Sequence, residues 1–283
     1  MRFRRKRSFS KIITRFYGKE AEMLLDINAS VGHWPFQHFR YNTCGTLLER
    51  MNRFGVSMSV ISNLNGIFYK NTQSSNEELY AEMISDKRFS DRFIPFAVIN
   101  PIYAGWKDDL ETCSSIFGMK GIRIYPLYHD YELTDPACIE LVKTARDKKL
   151  VVAIHNRMVD SRSRSWLDIT TEWSLKDIMP VIRAVPDAKY MILNAANSMD
   201  LDDNDLDLIK KGEVVIDTSG RSTSKLWELV KRFGSDKFAF GTHSPILDYT
   251  TGQLRIEALR ESEADEKTKE LLRSGNAIRI LGI

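Results

Sequence analysis

Leu150-Val151-Val152-Ala153-Ile154-His155 is a run of five apolar residues that ends on an imidazole. Unbroken apolar character over so short a stretch fits a strand buried on both faces, which belongs in a parallel sheet covered by helices. Runs of the same kind stand on either side of it. Upstream they are Met23–Asn28, Val56–Ser62, Phe93–Asn100 and Lys120–Tyr125; downstream they are Tyr190–Asn194, Glu213–Asp217 and Lys237–Phe240. The segments between them carry helix signals. Ser75-Asn76-Glu77-Glu78 reads as a capping box. Asp135-Pro136 suits an N-cap followed by a helix-compatible proline, and Gly118 and Gly234 close the helical patterns of 105–117 and 222–233. Eight strands alternating with helices predict an α/β fold, a closed (β/α)8 TIM barrel forming a single domain over residues 23–283. An open doubly wound sheet is the alternative, but no G-x-G-x-x-G follows the first strand.

The chain has 283 residues and a net charge of +3. The first nineteen residues hold eight basic side chains and no acid, so the rest of the chain is mildly acidic and offers no general footprint for nucleic acid. Residues 1–22 are therefore a basic arm outside the barrel. Phe9, Ile12, Ile13, Phe16 and Tyr17 recur there at helical spacing. One reading is an amphipathic helix on anionic lipid; the favoured one is a helix packed across the bottom of the barrel, because one short stretch is a weak membrane signal. No apolar run is long enough for a membrane span, and no apolar core follows the basic start as in a signal peptide. Cys44, Cys113 and Cys138 are odd in number and lack C-x-x-C spacing, which favours reduced thiols and a cytoplasmic location. The sequence is compatible with a homo-oligomer but does not specify one.

Every histidine falls at a strand's C-terminal end or in the loop after it: His33, His38, His129, His155 and His243. None is expected on a helix. That is the face on which barrel enzymes build their sites, and the longest irregular stretches, 29–42, 63–74 and 156–172, belong to it as well. His155 and His243 sit directly at strand tips. If His155 points inward, so do Ala153 and Val151; if His243 does, so do Gly241 and Ala239. On the fourth strand Arg123 and Tyr125 share the parity opposite to Ile122 and Ile124, and an inward Arg123 avoids burying a charge beneath a helix. It then either pairs with Asp26 or Asp217 or clamps a substrate carboxylate. Trp34, Phe36 and Trp166 stand in the loops that would line an apolar cleft, or they seal their own loops.

Several of these stretches together resemble the amidohydrolase superfamily, in its decarboxylase and lactonase branch. They are Asp26-Ile27-Asn28-Ala29-Ser30-Val31-Gly32, Gly121-Ile122-Arg123-Ile124-Tyr125-Pro126, Val151–His155, Phe240-Gly241-Thr242-His243-Ser244-Pro245 and Gly275–Gly282. The resemblance runs from residue 23 to 283. It implies a divalent metal, usually zinc, held by D-x-H-x-H on the first strand, histidines on the fifth and sixth, and an aspartate on the eighth. This chain departs from that pattern: Asn28 and Ser30 replace the first two histidines, Asn194 the sixth-strand ligand and His243 the aspartate. Only His155 matches, and Asp217 is a third ligand only if its carboxylate reaches the same point. Catalytic zinc needs about three ligands from His, Cys, Asp or Glu, so the expectation is a degenerate metal site with no metal and no other cofactor.

The expected function is a metal-independent hydrolase acting on a lactone or related carboxylate-bearing small molecule, a precedent the lactonases of this branch supply. His243 would be the general base, ionising near neutrality. His155 would orient the carbonyl or stabilise the oxyanion, with Asn28, Ser30 and Asn194 as neutral donors and Asp217 completing the catalytic set. Arg123 and Arg157 would hold the carboxylate, and His33, Trp34 and Tyr125 would complete the binding surface. A decarboxylase using the same site is one alternative; a non-catalytic binding protein on a degenerate amidohydrolase fold is the other.

Overall fold

The computed structural model describes residues 23–159, 164–195, 199–220 and 226–283. Eight parallel strands follow one another around a barrel in chain order. They are β1 (Leu25–Val31), β2 (Met58–Asn63), β3 (Phe93–Val98), β4 (Gly121–Ile124), β5 (Val151–His155), β6 (Lys189–Leu193), β7 (Val214–Asp217) and β8 (Phe238–Ala239). Helices connect them, so the fold is the expected (β/α)8 barrel. The basic arm, residues 1–22, lies outside the described residues. No helix among the described residues is long and apolar enough to cross a membrane.

Two apolar layers follow from strand parity. Leu25, Ile27, Val60, Ile94, Phe96, Val151, Ala153, Met191, Leu193, Val215 and Ala239 fill the barrel interior. Residues of the other parity, among them Ile122, Ile124, Val152, Ile154, Ile192 and Ile216, pack outward beneath the helices. Ala153 and Ala239 are therefore inward, and Arg123 lies on the inward parity of β4, as the sequence predicts. Gly121 sets how closely the interior packs. A Cβ there would stand 2.4 Å from the Phe96 ring and 2.6 Å from the Val151 carbonyl oxygen. Gly121→Ala is expected to lower stability by about 1–3 kcal/mol through overpacking. An unchanged urea midpoint would show instead that Phe96 yields without cost.

The larger departures from the expected boundaries have identifiable causes. β1 runs on through Val31 because a bulge between Asp26 and Ala29 sets two residues, Ile27 and Asn28, opposite Val60 alone. The bulge switches parity, so Ile27 packs in the interior while Asn28 and Ser30 also reach inward contacts. β8 is only two residues long, and the seam with β1 is closed by the segment after it. Ile27 N donates to Phe240 O at 2.9 Å, His243 N to Asn28 O at 2.7 Å and Ser30 N to Ser244 O at 2.8 Å. Thr242 fastens the same seam through its N and Oγ1, which donate to the Asp26 carboxylate at 3.0 and 2.5 Å. The helix expected to start at Ser75 begins a turn earlier, at Thr72, because Asn71 caps it by accepting from Gln73 N at 3.1 Å. Asp135 does cap the helix Pro136–Asp147, as read.

Candidate active site

The strand tips gather a compact set of buried polar groups. His155 ends β5 and His243 follows β8, with their ring centroids 5.5 Å apart. His243 is held by the closing seam and adopts a left-handed backbone, φ 59°. Its Nε2 lies 2.6 Å from the Met158 carbonyl oxygen. A carbonyl only accepts, so Nε2 carries the proton and Nδ1 is the basic nitrogen of the neutral ring. Burial pushes the His243 pKa down from 6.5 to about 4, only partly opposed by the Met158 hydrogen bond; the charges of Arg123 and Arg157 lower it further. The near-neutral ionisation expected from the sequence is therefore corrected: desolvation disfavours the imidazolium. His155 stacks on Tyr125, centroids 5.1 Å apart at 15°. Burial holds its pKa well below the usual range, with Arg123 and His243 acting in the same direction. Among the described residues neither of its ring nitrogens has a hydrogen-bond partner.

Asp217 lies at the tip of β7 with its oxygens engaged. Oδ2 accepts from Asn28 Nδ2 at 2.7 Å and from Ser219 Oγ at 2.6 Å, and Oδ1 accepts from Asn194 N at 2.8 Å. Its contacts are those of a positioning residue. The same bonds decide what the two asparagines offer. Asn28 Nδ2 is spent on Asp217, and Asn194 Nδ2 donates to Arg157 O at 3.1 Å. What remains buried and unpartnered is Oδ1 of each. Asn28 and Asn194 thus present acceptors, where the sequence reading made them donors. Ser30 keeps a hydroxyl proton, because its Oγ accepts from Arg123 Nη1 at 3.0 Å.

Arg123 is fully buried. Its Nη2 donates to Val60 O at 3.3 Å, its Nε has no partner, and among the described residues no carboxylate pairs with it. The ion pair with Asp26 or Asp217 is not made. Arg157 differs: its Nη1 stands 3.4 Å from Glu172, whose charge answers it. Tyr125 is buried, with its hydroxyl 3.4 Å from Ser62 Oγ. His33 is exposed and held only through its backbone N, which donates to Asn65 Oδ1, so it is not brought to the histidine pair. His129 falls in a helical turn, Pro126–His129, contrary to expectation, because Pro126 starts that turn directly after β4. Trp166 is 87% exposed and lines no cleft.

Above the histidines the mouth is filled. Trp34 packs edge-on against Phe36, Phe68 and Tyr128, at 5.7, 5.2 and 6.0 Å. The Tyr128 hydroxyl donates to Asp168 Oδ1 at 2.9 Å, tying this aromatic cluster to the loop after β5. Beneath it, Tyr125, Tyr128, His155, Arg157 and Met158 line a cavity of about 10 Å³, room for roughly one water molecule. The Tyr128–Asp168 bond and the Met158 carbonyl leave no mark in the sequence. Ser219 does, since it shares the parity of Asp217 two residues on.

The metal that the resemblance implies does not fit these residues. No three His, Cys, Asp or Glu side chains gather at one point among the described residues. The oxygens of Asp217 are already spent, and a guanidinium reaches Ser30 where a second imidazole would stand.

A family model described as amidohydrolase matches residues 51–283. Solved structures of similar fold include 2,6-dihydroxybenzoate decarboxylase from Rhizobium, at 14% identity and a TM-score of 0.71, covering 93% of this chain and 99% of the other. 5-Carboxyvanillate decarboxylase from Sphingomonas paucimobilis aligns at 14% identity and 0.69, covering 93% and 100%. 4-Oxalomesaconate hydratase from Rhodopseudomonas palustris aligns at 15% and 0.65, covering 92% and 96%. No curated protein matches the sequence. Identities this low establish the shared barrel alone, but the family match covers most of the chain, and the chain belongs to the amidohydrolase family.

Proposed function

We propose that the strand-tip site performs metal-independent hydrolysis of a small lactone or related molecule bearing a carboxylate. The observation that carries this is the state of His243: buried, neutral above acid pH, and fixed through Nε2–H on Met158 so that Nδ1 is the free base. The orphaned Oδ1 atoms of Asn28 and Asn194 only accept, so either suits the one hydrogen of an attacking water that His243 does not take. The His155 N–H and the Ser30 hydroxyl are donors on the same floor, suited to the oxygen that gains charge. His243 takes the water proton, the hydroxide adds to the ring carbonyl, and the ring C–O bond breaks with return of the proton to the leaving oxygen. Asp217 positions Asn28 and Asn194, and Tyr125 backs His155. A substrate reaches this floor only if the Trp34 cluster moves, because the cavity now holds about one water.

Decarboxylation is the second reading, favoured by the two decarboxylases among the structures of similar fold. It needs a proton donor for the carbanion left by CO₂, which two neutral imidazoles supply less readily than they accept a proton. The filled mouth favours the third reading, a binding protein without turnover. A panel of lactones and hydroxylated aromatic acids separates the three: acid release on ring opening supports hydrolysis, and CO₂ release supports decarboxylation. Saturable binding with neither product supports the binding protein.

A further inference from the structure

We infer that the Arg123 guanidinium is the built-in anion site of the strand tips: it binds a single carboxylate there and bars a divalent cation. The inference rests on reading the strand tips as a ligand site, and it goes further by assigning the anion to Arg123 alone.

The chemistry begins with burial. A guanidinium has five N–H donors and a permanent charge. Arg123 is fully buried, yet among the described residues it donates only to two neutral oxygens, Ser30 Oγ and Val60 O, and its Nε–H has no partner. A buried charge with no counter-ion is costly, and the cost falls when an anion arrives. The buried acids of the barrel floor do not supply one. The Asp26 carboxylate is taken by Thr242 and by Asn28 N, and that of Asp217 by Asn28, Ser219 and Asn194. Arg157 has Glu172. Both nitrogens of His155 are also unpartnered. A carboxylate is the group that best satisfies a guanidinium edge. Arg157 being already paired, the site takes one negative charge, which selects monocarboxylates over dicarboxylates. The same charge repels a metal ion from the ligand positions around Ser30.

Titration calorimetry with sodium formate, the smallest carboxylate, tests the assignment on the full-length protein. Formate should bind the wild type. Arg123→Gln should weaken binding by about tenfold or more, the scale of a lost charge-assisted contact. Arg123→Lys should lose less, and Arg157→Gln should stay within about threefold. Zinc uptake gives the second arm. Asn28→His with Ser30→His adds two imidazoles beside His155, yet this protein should take up no stoichiometric zinc until Arg123→Gln is added. If the histidine variants do not fold, the formate arm decides alone. Absence of formate binding by the wild type, formate binding that Arg123→Gln leaves unchanged, or one zinc per chain with Arg123 in place would each overturn the inference. Arg123-dependent formate binding in a protein that turns over no substrate keeps it and sinks the catalytic reading instead.

Discussion

In the proposed lactone hydrolysis, His243→Asn is expected to lower kcat by about 10²–10⁴-fold, the usual worth of general-base assistance. KM and folding should change little, because Asn is polar and still able to donate to the Met158 carbonyl. The pH profile carries the sharper expectation. The base must be unprotonated, and its pKa is pushed down to about 4. The rate should therefore rise with pH through about 4 and stay flat across neutrality. That limb should vanish in His243→Asn and survive in His155→Asn, because His155 only donates. A limb centred near 6.5 would show that His243 is solvated during turnover. Full activity with an unaltered profile in His243→Asn would remove it from the mechanism.

Acidification is expected to destabilise the fold through the same two histidines. The unfolded chain protonates His243 near 6.5, whereas the folded chain resists until about 4. The unfolded state thus binds more protons in that window, and stability falls as pH drops from about 6.5 to 4, by about 3 kcal/mol for this group. Asp26 works in the opposite sense. Burial raises its pKa from 3.8 to about 6, so the folded state holds a proton that the unfolded state has lost. Its contribution is present below about 4 and is lost as pH rises through 6, by a similar amount. The two nearly cancel, which leaves His155, held well below its usual range, as the main uncompensated group, with His129, also lowered by burial, acting in the same sense. His155→Leu should therefore lose less stability between pH 6.5 and 4 than the wild type does. Parallel stability curves in urea for the two proteins would contradict this.

The barrel was legible because its strands are buried on both faces. Val151–Ile154 and Ile122-Arg123-Ile124 announce an inward and an outward parity before any contact is known, and both parities hold. Most of what escaped was set by contacts distant in sequence. The β1 bulge inverts parity after Ile27, and nothing in Asp26-Ile27-Asn28-Ala29 marks it. The roles of Asn28 and Asn194 depend on which end of each amide is spent on Asp217 and on the Arg157 carbonyl. The acidity of His243 depends on complete burial and on one backbone oxygen at Met158. Residue identity gives neither. The pairing of Arg157 with Glu172, fifteen positions on, likewise separates it from Arg123, although the two arginines read alike in the sequence.

The central claim is that chemistry at the strand tips runs on a neutral imidazole and a guanidinium, without a metal. The most direct measurement is turnover of the lactone and aromatic-acid panel before and after exhaustive chelation, with elemental analysis of each sample. The expected result is ring opening whose rate is unchanged by chelation and is lost in His243→Asn. Turnover that falls with chelation and returns in proportion to added metal would contradict the account.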